Sequence, residues 1–215
     1  MTDAASPVTA GLQVEKPALI LASASPARVS VLRSAGVAFS QQASGLDESS
    51  VREALRQEGE ATQPGDLAEL LAITKATQVS TAEPDALVIG ADQVLAFDDR
   101  TLEKPLDFDA ARDQLLDLRG KTHVLHSAVC LCRGGQHLWT HVDTATMTMR
   151  DFSPEFLGRY LSVAGVAVLT SVGGYQLEGP GAQLFERVDG DYFTVLGLPL
   201  LPLLAKLREM EILLA

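Results

Sequence analysis

An apolar run at residues 18 to 22 stops abruptly in Ser23-Ala24-Ser25-Pro26-Ala27-Arg28. A short apolar run closed by turn residues reads as a buried strand. Ser25-Pro26 behind it is a helix start, with serine at the N-cap and proline at the first helical position. Val29 and Leu32 then fall on one helical face, and Gly36 supplies the stop. Strand, tight turn and helix in such quick succession exclude all-helical and all-strand folds.

The rest of the chain continues the alternation. Residues 49 to 60 and 66 to 82 read as helices, the second with Leu67, Leu70, Leu71 and Thr74 at helical spacing; Gly59 and Pro64-Gly65 punctuate them. Residues 86 to 91, ALVIGA, form a second buried strand that ends in the carboxylate of Asp92. Asp98-Asp99-Arg100 marks a turn, and residues 107 to 118 form a helix stopped by Gly120. Residues 122 to 132 and 137 to 149 alternate around Arg133-Gly134-Gly135, a hairpin signal. Ser153-Pro154 repeats the helix start, a short strand pair is expected around Val188 to Asp191, and an apolar helix closes the chain from about Leu198. This order predicts an α/β or α+β fold with a mixed sheet.

Lys and Arg number 17 against 28 Asp and Glu, a formal charge of −11. So acidic a surface argues against a nucleic-acid polymer as partner, but one small polyanion can still be held by metal-binding carboxylates and a few placed cations. No stretch keeps the continuous apolarity a membrane helix needs, so no membrane partner is expected. Residues 1 to 17 read as a flexible tail without a signal-peptide core, which predicts a cytoplasmic protein with one domain over 18 to 215. Cys130 and Cys132 share one face of a strand and read as reduced core thiols.

Several positions can carry chemistry. At the turn, backbone N–H groups, the hydroxyls of Ser23 and Ser25, and Arg28 can gather round an anion; equally, Ser25 can simply cap the helix with Arg28 solvated. Gly120-Lys121-Thr122 looks like the end of a phosphate-binding loop, but Leu115 stands where that motif needs glycine. Asp92 at the end of an inner strand can hold a metal or take a proton from water. Asp47-Glu48, Lys75 and Lys104 each have a dull explanation as cap, solvated charge or turn, yet together they suggest one site. His123, His126, His137 and His141 all fall in the hairpin, and a strand puts the first two on opposite faces, which spoils them as chelators.

LASASPAR, the acidic pair of LDES, LAITKA, IGADQV, EKP and the tail from GGYQLEGPG to VLGLPL occur in order from about Ile20 to Leu207. Together they resemble the Maf family of nucleoside triphosphate pyrophosphatases. The resemblance implies an extended mixed β-sheet flanked by helices, like that of inosine triphosphate pyrophosphatase, with two lobes and a central cleft. It implies a cytoplasmic homodimer that hydrolyses a nucleoside triphosphate to monophosphate and pyrophosphate with a divalent cation, Mg²⁺ or Mn²⁺. Asp92 becomes the proton acceptor, Ser23, Ser25, Arg28, Lys75 and Lys104 line the phosphate path, and Glu48 joins Asp92 at the metal. Three positions track the accepted base: one branch, for dTTP and UTP, has Arg, Thr and Gln, and another, for 7-methyl-GTP, has Trp, Gln and Glu. This chain has Ala27, Gln93 and Glu178, which leans towards the 7-methyl-GTP branch, with Ala27 departing from both. The alternatives are a dTTP/UTP-type enzyme and a non-catalytic nucleotide-binding regulator of septum formation.

Overall fold

The computed structural model describes residues 11–57 and 62–214. The opening apolar run becomes β1 (Leu19–Leu21), buried along its length, and Pro26 starts α1 (Pro26–Ser34). Among the described residues, seven strands form one sheet in the order β2 (Ser40–Gln41), β1, β3 (Leu87–Phe97), β5 (Thr122–Arg133), β6 (Gln136–Met149) and β7 (Phe185–Asp189), with β4 (Arg100–Leu102) paired to β3. β1 runs parallel to both β2 and β3. The long hairpin of β5 and β6, then β7, add on antiparallel, so the sheet is mixed as expected.

β3 is twice as long as its apolar pattern suggests, and this relocates Asp92. The expectation puts Asp92 at a strand end; instead it sits in mid-strand, paired across to Ala128, and β3 continues to Phe97. The parallel partner is what ends here: β1 pairs with β3 only from Leu87 to Ile89, so a crevice opens beside Ala91 and Asp92.

Side chains of a strand alternate between faces. Leu87, Ile89 and Ala91 pack with Leu32, Leu203 and Leu207 on the face covered by α1 and by α7 (Leu200–Glu209). Val88 and Val94 pack with Leu71, Ala72 and Ala76 of α3 (Pro64–Ala82) on the other. Asp92 has the parity of Val88 and Val94, which aims it at α3. Of the expected α3 stripe, Leu67 and Leu71 are buried but Leu70 is 39% exposed; the buried face runs through Ala68, Ala72, Lys75 and Ala76 instead. Small residues are needed there because α3 lies very close to β3. A Cβ on Gly90 would meet Ala72 O at 2.3 Å and Ala76 Cβ at 2.7 Å. Cys130 and Cys132 are free, buried and part of the same layer.

A third cluster, around Leu95, Leu115 of α4 (Phe108–Leu118), Met147 and Leu157 of α5 (Pro154–Ala164), fills the far end of the sheet. Only one strand of the expected pair around Val188 forms. Asp191 accepts from the backbone N–H groups of Phe193 and Thr194, and this N-cap turns the chain into α6 (Tyr192–Val195). Within the stretch expected as a flexible tail, backbone hydrogen bonds from Val14 N to Ile212 O and from Leu214 N to Leu12 O tie residues 12 and 14 to residues 212 and 214. The remainder of that tail, residues 1 to 10, lies outside the described residues, as do Gly59 and the end of the helix expected to reach residue 60.

Candidate active site

Lys75 reaches from α3 towards the crevice, and its buried Nζ lies 2.5 Å from Asp92 Oδ1 and 2.6 Å from Glu48 Oε1. Glu48 is the first residue of α2 (Glu48–Gln57). The acidic pair divides its work: Asp47 caps α2, accepting from Ser50 N at 3.2 Å and Ser50 Oγ at 2.7 Å, which turns Glu48 inward. Burial pushes the Glu48 carboxyl up, but Lys75, then Lys104 and Arg52, outweigh it and hold the pKa below the usual glutamate value. Asp92 Oδ2 is buried and has no hydrogen-bond partner among the described residues.

These groups open on a cavity of about 460 Å³ between α1, α2, β3 and the 170–178 segment. Ser25, Ala27, Arg28, Glu48, Lys75, Asp92, Gln93, Lys104 and Glu178 all line it. Ser23 does not; it is 6% exposed and lies beneath the turn, where its Oγ accepts from Ser25 N and Arg28 Nη1. Ser25 makes the capping bond, accepting from Arg28 N at 3.5 Å, while its side chain faces the cavity.

Arg28 is braced rather than solvated. Nε donates to Gly197 O at 2.8 Å, and Nη1 donates to Ala91 O at 3.0 Å and Ser23 Oγ at 3.1 Å, tying α1 to β3 and to the loop before α7. Gly197 has φ +84, and a Cβ there would press on the guanidinium at 3.3 Å. Burial lowers the Arg28 pKa, with Asp92 and then Glu48 acting in the opposite direction. Nη2 is the nitrogen left for a ligand.

Gln93, next along β3, faces the opposite way to Asp92 and meets α6. Its Nε2 donates to Val195 O at 3.0 Å, Thr194 O at 3.1 Å and Ser127 Oγ at 2.9 Å. Carbonyl oxygens can only accept, and Ser127 Oγ spends its own proton on Thr194 O at 2.8 Å. The amide orientation is thereby set, and Oε1 is the atom Gln93 offers to a ligand.

Two residues escape the sequence reading. Ser127 sits mid-strand and is legible only through strand register. Arg52 lines the cavity one helical turn after Glu48, a spacing that puts both on one face of α2 and could have revealed it. His123 and His126 keep clear of the cavity: His123 Nε2 lies 2.6 Å from Tyr175 Oη inside the core.

Among the described residues no three His, Cys, Asp or Glu side chains converge as a metal cage. Two hard oxygen donors do meet at Lys75 Nζ on the cavity wall, the carboxylates of Glu48 and Asp92. That set fits a small divalent cation such as Mg²⁺, which takes one or two carboxylates and completes its shell with phosphate and water.

Fold and cavity together define an α/β protein whose cleft gathers cations around a buried carboxylate, Asp92, and a half-exposed one, Glu48. The chain belongs to the Maf family: the family model described as Maf-like protein matches residues 18–210. A "7-methyl-GTP pyrophosphatase" from Brucella abortus is 53% identical over 191 residues, 89% of this chain and 95% of the relative. One of the same name from Rhizobium meliloti is 50% identical over 91% of this chain and 97% of its own length. A "nucleoside triphosphate pyrophosphatase" from Paramagnetospirillum magneticum is 52% identical over 88% of this chain and 97% of its own. No helix among the described residues is long and apolar enough to cross a membrane.

Proposed function

We propose that this chain is a nucleoside triphosphate pyrophosphatase, cleaving the bridge between the α and β phosphates to give a nucleoside monophosphate and pyrophosphate. The observation that carries the reading is Asp92 Oδ2, a buried and unpartnered carboxylate oxygen at the wall of a cavity also lined by Lys75, Lys104 and Arg28. Such an oxygen is suited to take the proton of an attacking water. Lys75, itself held by Glu48 Oε1, fixes the carboxylate through Oδ1 and leaves Oδ2 for that task. Lys104 and Arg28 Nη2 bind phosphate oxygens and stabilise charge on the departing pyrophosphate. A divalent cation held by Asp92 and Glu48 neutralises phosphate charge when bound. The names carried by relatives at about half identity support the reading.

The base side favours a guanine edge. Gln93 Oε1 and the Glu178 carboxylate are both acceptors, and guanine presents adjacent N–H donors at N1 and N2. Uracil and thymine offer one N–H between two carbonyls, which would face like dipoles. Ala27 supplies no ring for stacking, so discrimination for 7-methylated guanine rests on the charge of Glu178. The single domain from residue 18, the cytoplasmic setting and the homodimer belong to the same proposal, on the strength of the family resemblance.

The test is product analysis with Mg²⁺ or Mn²⁺ over 7-methyl-GTP, GTP, UTP, CTP and dTTP. The proposal expects pyrophosphate, fastest from the guanine nucleotides. Orthophosphate release, or nucleotide binding without turnover, contradicts the activity; a preference for dTTP contradicts only the base assignment.

A further inference from the structure

Arg52 has a deficit that the cavity explains. The residue is 8% exposed, and its Nη1 is shut off from solvent with no hydrogen-bond partner among the described residues. Its carboxylate neighbour, Glu103 Oε1, lies 4.0 Å from Nε, beyond hydrogen-bond reach. A buried guanidinium N–H without an acceptor is costly, and most such groups in folded proteins are satisfied. Asp92 Oδ2, on the same cavity, has the complementary deficit, an acceptor without a donor. A ligand that brings anionic oxygens to one and positive charge to the other fills both, and a metal-bound phosphate chain is such a ligand.

The position also gives a direction. Arg52 forms the wall between this cavity and a second one, lined among others by Thr62, Gln63 and Arg100. Ala27, Gln93 and Glu178 line only the first. Arg52 therefore stands at the end of the cleft away from the base side.

We infer that Arg52 binds the terminal phosphates of the substrate and hence the pyrophosphate product, its planar fork taking two phosphate oxygens at once. This assignment rests on the pyrophosphatase reading for the identity of the ligand. It is tested without turnover, by calorimetric titration of inorganic pyrophosphate and, separately, of GMP, each with Mg²⁺. Wild type is compared with Arg52→Gln and Arg52→Lys after circular dichroism shows each variant folded. Arg52→Gln is expected to weaken pyrophosphate binding by tenfold or more, on the order of a lost charge-assisted hydrogen bond, with GMP affinity within about twofold of wild type. Arg52→Lys, which keeps the charge but not the fork, should fall between. A merely structural role would weaken both ligands together. Wild type that binds no pyrophosphate, Arg52→Gln that binds it as tightly as wild type, or parallel losses for the two ligands would each overturn the assignment. A wild type that binds pyrophosphate but hydrolyses no triphosphate counts against the proposed activity and leaves Arg52 assigned to a phosphate chain.

Discussion

Lys75 of α3 and Asp92 of β3 meet at 2.5 Å, with side chains 9% and 5% exposed. Removing Lys75 leaves Asp92 as a buried charge without a partner, and breaking such a pair costs about 3 to 5 kcal/mol. Lys75→Met should therefore lose roughly 3 kcal/mol in urea unfolding, offset in part by the exposure of Glu48. The double variant Lys75→Met, Asp92→Leu should recover most of that stability. Equal stabilities for wild type and Lys75→Met would show that the pair is not buried as described.

Gly90 sets the distance at which these two residues meet. A methyl group there runs into the carbonyl oxygen of Ala72 at 2.3 Å, and backbone cannot turn aside as a flexible side chain does. Gly90→Ala should cost about 2 kcal/mol, typical of overpacking, and should push α3 off the sheet. A crystal structure of the variant would then show Lys75 withdrawn from Asp92; an unchanged separation with full stability contradicts this packing.

His123 makes stability depend on pH. It is 1% exposed, and burial lowers its pKa to about 4. In the unfolded chain it titrates near 6.5. Between these values the unfolded state binds a proton that the folded state refuses, so stability falls as pH drops from about 6.5 through about 4. The loss approaches the order of 3 kcal/mol by the lower end. His123→Gln should flatten that part of the curve, as read by urea midpoints at fixed pH steps. Parallel curves for the two proteins would refute the assignment.

Glu178 is the base-side acceptor that can be weakened without touching the sheet. Glu178→Gln keeps one acceptor but loses the charge, and kcat/KM for GTP and 7-methyl-GTP should fall about tenfold or more relative to UTP. An unchanged ratio between guanine and uracil nucleotides would place base selection elsewhere.

The strand, turn and helix from residue 18 to 36 were legible because serine, proline and glycine act locally, through capping and fixed backbone angles. The length of β3 was not, since Asp92 and Gln93 interrupt its apolar pattern and only pairing with β5 keeps it extended. Asp92 was nonetheless singled out, on a premise the structure changes: it lies where the parallel partner ends, not where its own strand does. Lys75 and Glu48 could be guessed to share a site, but their contact depends on the approach of α3 that Gly90 permits. Nothing local announced that Ser23 would brace Arg28 from below, or that three acceptors would fix the amide of Gln93. Ser23 is a near neighbour of Arg28, but the guanidinium is set by Ala91 and Gly197, 63 and 169 residues further on, and the amide of Gln93 by Thr194 and Val195, 101 and 102 residues further on.

The central claim is that Asp92 takes the proton of the attacking water. It is tested most directly by comparing pyrophosphate release from GTP or 7-methyl-GTP by wild type and Asp92→Asn at saturating Mg²⁺. The amide keeps the shape but not the basicity, so kcat should fall by a factor of about 100 or more. A variant that releases pyrophosphate at the wild-type rate would contradict the account.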